Sequence, residues 1–211
     1  MTNDAAIIDI SHPIRAGQSE VWPGDTPPTR EFLMKLENGD SVTLSTLHST
    51  LHLGTHADGP CHYGDHAIGV GEMPLNHYIG TCRVLRVQGS SSGRIGIDAI
   101  ADCPIDAPRI LIDTGTFSTL EEFNTSFAAI EPEVIDYLAD QGVITIGLDS
   151  PSVDLIDSKT LPTHARCLEH GMAILETLRL SHVEPGLYTL AAQPLMLMEM
   201  DASPVRAVLM Q

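Results

Sequence analysis

The 211-residue chain is long enough to bury a core without disulfides, and 43% of its residues are hydrophobic. It carries 28 acidic residues against 11 lysines and arginines, which gives a formal net charge of −17. Nucleic acid and anionic membrane surfaces are bound by clustered basic residues, and the sequence contains no basic run. We therefore expect one domain over residues 1–211 that binds neither nucleic acid nor membranes.

The beginning of the chain, residues 1–6, lacks the basic segment and apolar core of a secretory signal. No apolar run reaches the roughly 20 residues that cross a bilayer. The four cysteines are scattered and form no Cys-x-x-Cys pair; they are Cys61, Cys82, Cys103 and Cys167. This pattern is typical of a reducing compartment, so we expect free thiols and a cytoplasmic location.

The first elements of the chain are a short strand and a loop. Residues 5–10 form an apolar run that ends at a Ser-His-Pro turn signal. Residues 21–28 are too rich in proline and glycine for regular structure, yet they contain Trp22, the only tryptophan. A tryptophan on such a loop either covers the edge of the core or forms a platform for a ligand.

The remaining pattern predicts a mixed α/β domain with few short helices. The alternation of apolar and polar residues over 42–47 predicts a half-buried strand. Residues 131–142 have the start and stop signals of a helix, with proline near the start and glycine at the end. Further segments are predicted as strands at 83–87, 109–115, 143–148, 172–176, 188–192 and 205–210, a helical turn at 97–101, a short helix at 164–171 and a Ser-Gly loop at 89–93.

The stretch from Leu51 to Tyr63 contains His52, His56, Asp58 and His62. On a straight strand the first two histidines would stand about 13 Å apart, too far for one ion. On a helix they would converge, but Asp58 would point away and the following Gly-Pro would end the helix. We therefore expect a strand that breaks at Gly54 into a turn and gathers a metal site. Histidine nitrogens with a carboxylate suit zinc.

Several nearby residues leave two interpretations open. Cys61 could act as a metal ligand or as a nucleophile, but we favour the simpler interpretation that it is a small thiol packed in the fold. His48 and His66 are either outer partners of the site or surface residues, and we favour the surface. His164 and Glu176 are candidates for distal ligands, because an unpaired carboxylate at the end of an apolar strand is costly to bury. Taken alone, they are better explained by ordinary roles, His164 as a helix-start residue and Glu176 as a salt-bridge partner.

The motifs together resemble the bacterial kynurenine formamidases (arylformamidases) of the cyclase-like metal-dependent hydrolase family. The resemblance runs nearly end to end. It comprises the Val-Trp-Pro-Gly-Asp-Thr-Pro loop at 21–27, the His-x-x-x-His-x-Asp-x-Pro-x-His pattern at 52–62, the segment 149–161, the His164 and Glu176 pair, and the segment 201–209. The loop at 21–27 and the Ser-Lys-Thr-Leu segment favour the formamidase branch, although Thr55 stands where formamidases carry alanine.

The resemblance implies a swivelling β/β/α fold, a homodimer and a centre of two zinc ions, with manganese as the alternative metal. His52, His56 and Asp58 would hold the first ion, Asp58 would bridge to the second, His164 would complete the second, and Glu176 would reach both. His62 would be the general acid/base and Trp22 a substrate contact.

The implied reaction is hydrolysis of N-formyl-L-kynurenine to L-kynurenine and formate in tryptophan breakdown. Two alternatives compete with it. One is an isatin-hydrolase-like amide or lactam hydrolase of the same family, and the other is a non-catalytic metal-binding protein.

Overall fold

The computed structural model describes residues 6–87 and 93–211. Its centre is a nine-stranded mixed sheet in the order β1-β13-β11-β5-β7-β9-β10-β4-β12. The strands of this sheet are β1 (Ile7–Asp9), β4 (His56–Asp58), β5 (Ile79–Arg86), β7 (Arg109–Asp113), β9 (Thr145–Leu148), β10 (Ala173–Glu176), β11 (Gly186–Ala191), β12 (Ala202–Pro204) and β13 (Val208–Met210). Two small sheets accompany it, one of β2 (Thr29–Met34) and β3 (Leu44–His48), the other of β6 (Arg94–Ile95) and β8 (Ala129–Ile130).

The middle of the sheet is parallel, from β5 through β7 and β9 to β10, and its outer pairs are antiparallel. Parallel strands covered on both faces are apolar throughout, as in the Arg-Ile-Leu-Ile-Asp run of β7, which is buried at every position. Successive residues of β7 enter opposite cores, Leu111 in one and Ile110 and Ile112 in the other.

Two α-helices lie in the described residues, α1 (Pro132–Asp140) and α2 (Pro162–Glu169). Both begin at a proline, which suits the first turn because its missing N–H would be unpaired there. Their apolar sides, represented by Leu138 and Cys167, pack into one of the two cores. Neither helix combines the length and the apolar character that crossing a bilayer requires.

The predicted strands and helices that lie in the described residues are present, with differences in burial and in bounds. The strand expected at 42–47 is β3, but it is exposed rather than half-buried. Within the described residues it pairs only with β2, a strand that the sequence did not predict. The short helix begins at Pro162 rather than at His164. The expected Ser-Gly loop at 89–93 lies almost wholly outside the described residues.

Candidate metal centre

The turn predicted at Gly54 is present, and it directs the histidine-rich stretch into the sheet. Gly54 has φ +59°, a left-handed conformation that glycine adopts without strain. After it, β4 enters the sheet between β10 and β12. His56 and Asp58 are two residues apart on this strand, so they share a face, while Ala57 points into the core. His56 lies opposite Glu176 in the register with β10.

The other candidate ligands approach the same face from separate elements. His52 belongs to the loop before β4, and its Nδ1 lies 3.2 Å from Asp58 Oδ1. His164 lies in the first turn of α2, with its Nε2 3.5 Å from Asp58 Oδ2 and 3.7 Å from Glu176 Oε1. His56 Nε2 is 3.4 Å from Asp58 Oδ1 and from Glu176 Oε2. The structure thus brings all five proposed ligands together.

These residues fit a divalent metal ion by spacing and by chemistry. Nitrogen and oxygen ligands bound tetrahedrally at 2.0–2.1 Å would stand about 3.4 Å from one another, close to the separations observed here. Asp58 is 1% exposed, yet neither of its carboxylate oxygens accepts a well-aligned hydrogen bond from the described residues. A buried carboxylate without partners is costly, and a bound cation would remove that cost.

The donor atoms form three overlapping groups, each compact enough to hold one ion. The groups are His52 with His56 and Asp58, His52 with His62 and Asp201, and Asp58 with His62 and His164. Asp58 belongs to two of them, which is the position expected of a bridging ligand. His62 also belongs to two, so its distance from the centre suits a ligand as well as an acid/base.

The electrostatics of the centre favour positive charge. Burial alone would raise the pKa of the Asp58 carboxyl, but the nearby rings of His164, His52 and His56 hold that pKa well below its usual range. Burial opposes protonation of His56, yet the Asp58 and Glu176 carboxylates raise its pKa to about 10. The pKa of His164 is likewise raised to about 10, by Asp154 and Asp58 against burial.

In His52, His56 and His164, the ring nitrogen that points away from the other proposed ligands lies beside a protein oxygen. Asp154 Oδ2 lies 2.7 Å from His164 Nδ1, Asp201 Oδ2 lies 3.1 Å from His52 Nε2, and the Gly54 carbonyl lies 2.8 Å from His56 Nδ1. Such partners fix the orientation of metal-binding imidazoles. The role of Asp154 and Asp201 was not predicted, although both lie in motifs that the sequence analysis singled out.

A cavity of about 400 Å³ opens over this face. Its apolar wall includes Trp22, Phe117, Phe123 and Leu120. The tryptophan packs edge-on against Phe123 at 5.7 Å between ring centroids, and it also lies 5.9 Å from Phe127. Trp22 thus packs on two aromatic side chains at the edge of the core and also lines a cavity. Its use as a platform for a ligand stays a prediction.

The cavity is acidic. Glu20, Asp25 and Asp201 line it, and no lysine or arginine does so among the described residues. Asp25 is held at the rim by Thr50, whose hydroxyl donates to Asp25 Oδ2 at 3.3 Å. A ligand with a positive or neutral group at this rim is favoured over an anionic one.

His62 lies at the edge of the centre, in the short 3₁₀ turn Pro60–His62. Its ring centroid is 4.2 Å from that of His52 and 6.1 Å from that of His164. Partial desolvation lowers the pKa of His62, although the Asp58 carboxylate acts in the opposite direction. Its imidazole is therefore kept neutral near pH 7, in a form that can accept a proton.

The remaining candidates lie away from the centre. Cys61 belongs to none of the metal-binding groups found in the described residues, and burial raises the pKa of its thiol, opposite to the shift of an activated nucleophile. His48 is exposed and pairs with Glu31 at 3.2 Å on the small sheet. His66 is exposed in a loop. All four cysteines are free thiols.

Comparison with known proteins gives a consistent result. Residues 8–155 match a family model described as a putative cyclase. A solved structure of a potential metal-dependent hydrolase with cyclase activity is 28% identical, with a TM-score of 0.83 and 98% of each chain covered. A predicted metal-dependent hydrolase from Bacillus stearothermophilus is 29% identical, with a TM-score of 0.80 and the same coverage.

Isatin hydrolase A from Labrenzia aggregata, bound to benzyl benzoate, is similar in fold. It is 19% identical, with a TM-score of 0.79, and the match covers 98% of this chain and 93% of that one. The predicted cyclase-like α/β fold is therefore confirmed.

Proposed function

The chain belongs to the putative-cyclase family, and from that membership and the geometry of its site we propose that it is a zinc-dependent arylformamidase. The reaction is hydrolysis of N-formyl-L-kynurenine to L-kynurenine and formate. One observation carries the proposal: His52, His56, Asp58, His164 and Glu176 converge at the floor of an aromatic-walled cavity. The metal-dependent hydrolases among the similar structures support hydrolysis as the reaction class.

We assign the five converging side chains to two zinc ions, with manganese as the alternative metal. His52, His56 and Asp58 would hold the first ion, Asp58 and His164 would hold the second, and Glu176 would serve both. Such a centre would supply an activated water at neutral pH and a positive charge beside the carbonyl oxygen of the substrate.

The cavity wall binds and orients the substrate. Trp22 and Phe123 offer flat apolar surfaces to the aryl ring, and their edge-on packing keeps both rings in place. Asp25 and Glu20 suit the ammonium group of the amino acid, because they are acidic residues that line the cavity and lie within three residues of Trp22 in the sequence. Expulsion of water by these apolar walls strengthens the electrostatic interactions at the reacting carbonyl.

His62 moves the proton. The leaving group is an aryl amine, which is a poor anion and must be protonated as the carbon–nitrogen bond breaks. An imidazole nitrogen of His62 accepts a proton from the attacking water and returns it to the amine nitrogen. The lowered pKa of His62 leaves it unprotonated and ready for the first of these transfers.

A substrate panel tests the proposal. The purified, metal-loaded protein is assayed with N-formyl-L-kynurenine, isatin and formanilide, and we expect the highest kcat/KM for N-formyl-L-kynurenine. Isatin is included because isatin hydrolases share the fold. Ring opening of isatin without cleavage of N-formyl-L-kynurenine would make the protein a lactam hydrolase. Full metal loading without turnover of any substrate would favour a non-catalytic metal-binding protein.

A further inference from the structure

A second cavity, of about 450 Å³, shares no lining residue with the cavity over the metal centre. Its polar lining residues are Asp9, Ser11, His12, Arg179 and Arg206. The Ser11 hydroxyl is already used within the fold, because it donates to the Ala207 carbonyl and accepts from the Ala207 N–H. The groups that remain for a ligand are His12 and the three charged residues.

The half-buried Arg179 has no carboxylate partner among the described residues. This is unusual in a chain with 28 acidic residues against 11 lysines and arginines, in which Arg83 and Arg86 each pair with an aspartate. The Arg179 Nε is buried without a hydrogen-bond partner in the described residues, and Nη2 only approaches the Asp9 carbonyl oxygen at 3.5 Å. A guanidinium in this state favours an anion that accepts from two of its N–H groups.

His12 is a second unpartnered group in the same cavity. It is 6% exposed, and its Nε2 has no hydrogen-bond partner in the described part of the chain. Burial, and then the charge of Arg179, lower the pKa of the imidazole to about 4, so the ring is neutral near pH 7 and lies close to Arg179. A neutral imidazole has one N–H to donate. Together the two side chains offer three or more donors to one anion.

The charges of the lining fit an anion with a single negative charge. Arg206 is paired with Asp9, since the Arg206 Nε donates to Asp9 Oδ2 at 2.9 Å. This pair is neutral as a whole, so Arg179 supplies the one positive charge that is not compensated. A dianion would meet the same single charge and more repulsion from the Asp9 carboxylate.

The rest of the lining is apolar. It is formed by Pro13, Ile14, Pro204 and Val205. Small-molecule sites combine such apolar walls with a few polar groups that orient the ligand. We propose that this cavity binds a monocarboxylate with an apolar body, whose carboxylate accepts from Arg179 and His12 and whose body lies against the apolar wall.

The proposed site is linked to the metal centre through the backbone. Arg179 follows Glu176 by three residues, and its N–H donates to the Ile10 carbonyl at 2.8 Å. The His12 N–H donates to the Oγ1 of Thr55, the residue before His56. A ligand that bridges Arg179 and His12 would hold together the segments that carry two proposed metal ligands. The proposal concerns binding alone, so it stands whether or not the protein is an arylformamidase.

Modification of arginine by phenylglyoxal tests the proposal at a single residue. The metal-loaded full chain is treated in sodium benzoate, hexanoate, acetate, phosphate or chloride at equal ionic strength, and peptide mass spectrometry gives the rate at Arg179. Only the unoccupied protein reacts, so benzoate at ten times its Kd should slow the modification about tenfold, in a saturable way. Hexanoate should act similarly, and acetate and phosphate more weakly. The rate at Arg30, an exposed arginine of β2, should be the same in every salt.

Ile14→Ala tests the apolar wall. Ile14 is 40% exposed, so its truncation should leave the far-ultraviolet circular dichroism signal unchanged. The variant should need a several-fold higher concentration of hexanoate to protect Arg179, whereas protection by acetate should not change. Ile68→Ala is the matched control, since Ile68 is 44% exposed and does not line this cavity.

Three results would overturn the proposal. The first is the same rate of modification at Arg179 in all five salts. The second is stronger protection of Arg179 by phosphate than by benzoate, which would indicate a site for dianions. The third is equal protection by hexanoate in the wild type and in Ile14→Ala, which would remove the apolar wall from the site.

Discussion

Each histidine proposed as a ligand has its second ring nitrogen beside a protein oxygen, and for His164 that oxygen is the carboxylate of Asp154. Asp154 is completely buried, and its two oxygens also accept from the backbone N–H groups of Thr163 and His164. The carboxylate thus fixes both the start of α2 and the orientation of the imidazole. We regard Asp154 as a positioning residue.

Asp154→Asn should weaken metal binding by about 10–100-fold, because the amide holds the imidazole less firmly and no longer strengthens its basicity. Titration of the apo-protein with Zn²⁺ against a competing chelator measures this affinity. The control is Asp157→Asn, an exposed aspartate three residues away in the same loop. Equal affinities in Asp154→Asn and the wild type would remove Asp154 from this role.

His62→Ala separates two roles for that residue. If His62 transfers protons, turnover should fall about 10²–10⁴-fold while the metal content of the purified protein is unchanged. Elemental analysis and the N-formyl-L-kynurenine assay on the same sample give both values. Parallel loss of metal and activity would make His62 a ligand, a role that its distances to Asp58 and His52 also permit.

At this scale the sequence indicated which residues to inspect but not what surrounds them. Four ligand-type residues within Leu51–Tyr63 were visible as a pattern, since they are close along the chain. The partners Asp154 and Asp201 are close to the histidines only in space, and a carboxylate in a loop has no distinguishing signal of its own. Their role could be read only from the folded chain.

Among the elements, β4 is closely surrounded by other parts of the chain. It lies between β10 and β12, and the residue after it, Gly59, is packed against backbone. A Cβ at Gly59 would meet the Met200 carbonyl oxygen and the Val70 nitrogen at 2.7 Å. Only glycine fits there, so the short turn that carries His62 is held close to the strand that carries Asp58.

The segment after β1 is hydrogen-bonded to the residues just before β4 through the backbone of His12. The His12 N–H donates to Thr55 Oγ1 at 3.0 Å, and the Thr55 hydroxyl donates to the Thr177 carbonyl at 2.6 Å. The His12 ring is buried, and its Nε2 has no hydrogen-bond partner in the described residues. Burial, together with the Arg179 charge, lowers the pKa of His12 to about 4.

This shift predicts a pH dependence of stability. Between about pH 6.5 and pH 4 the unfolded chain binds a proton at His12 that the folded chain does not. The free energy of unfolding should therefore fall as the pH falls through this range, by up to about 3 kcal/mol from His12 alone. In His12→Asn this part of the fall should be missing.

Urea unfolding of the wild type and His12→Asn at pH 7 and pH 4.5 measures the difference. Asparagine does not titrate, so any loss of stability from the substitution itself applies at both pH values and cancels in the comparison. An equal fall in both proteins would contradict the lowered pKa of His12.

The type of a strand could be predicted from the sequence, but its burial could not always be. The buried strands β7, β9 and β10 were predictable because apolar runs of that length are stable only inside a protein. The alternation over 42–47 predicted a half-buried strand, and the structure instead has the exposed strand β3. Alternation reports that a strand has two different faces, but it contains no information on whether another layer covers either of them.

For the whole molecule, the sheet connects parts of the chain that are far apart in sequence. The strand β4 comes from the first third of the chain and β10 and β12 come from the last third, yet the three form one edge of the nine-stranded sheet beside the proposed metal centre. The mixed α/β class followed from the sequence, whereas this strand order did not, because it depends on long-range pairing. The homodimer and the cytoplasmic location stay predictions.

The proposed metal chemistry can be tested by removing and restoring the metal. Wild-type protein is analysed for metal content, dialysed against a chelator, assayed with N-formyl-L-kynurenine, and assayed again after addition of Zn²⁺ or Mn²⁺. We predict about two metal ions per chain before dialysis, loss of turnover after it, and recovery on addition. Full activity in protein shown to be free of metal would contradict the central claim that the five ligands around Asp58 form a catalytic metal centre.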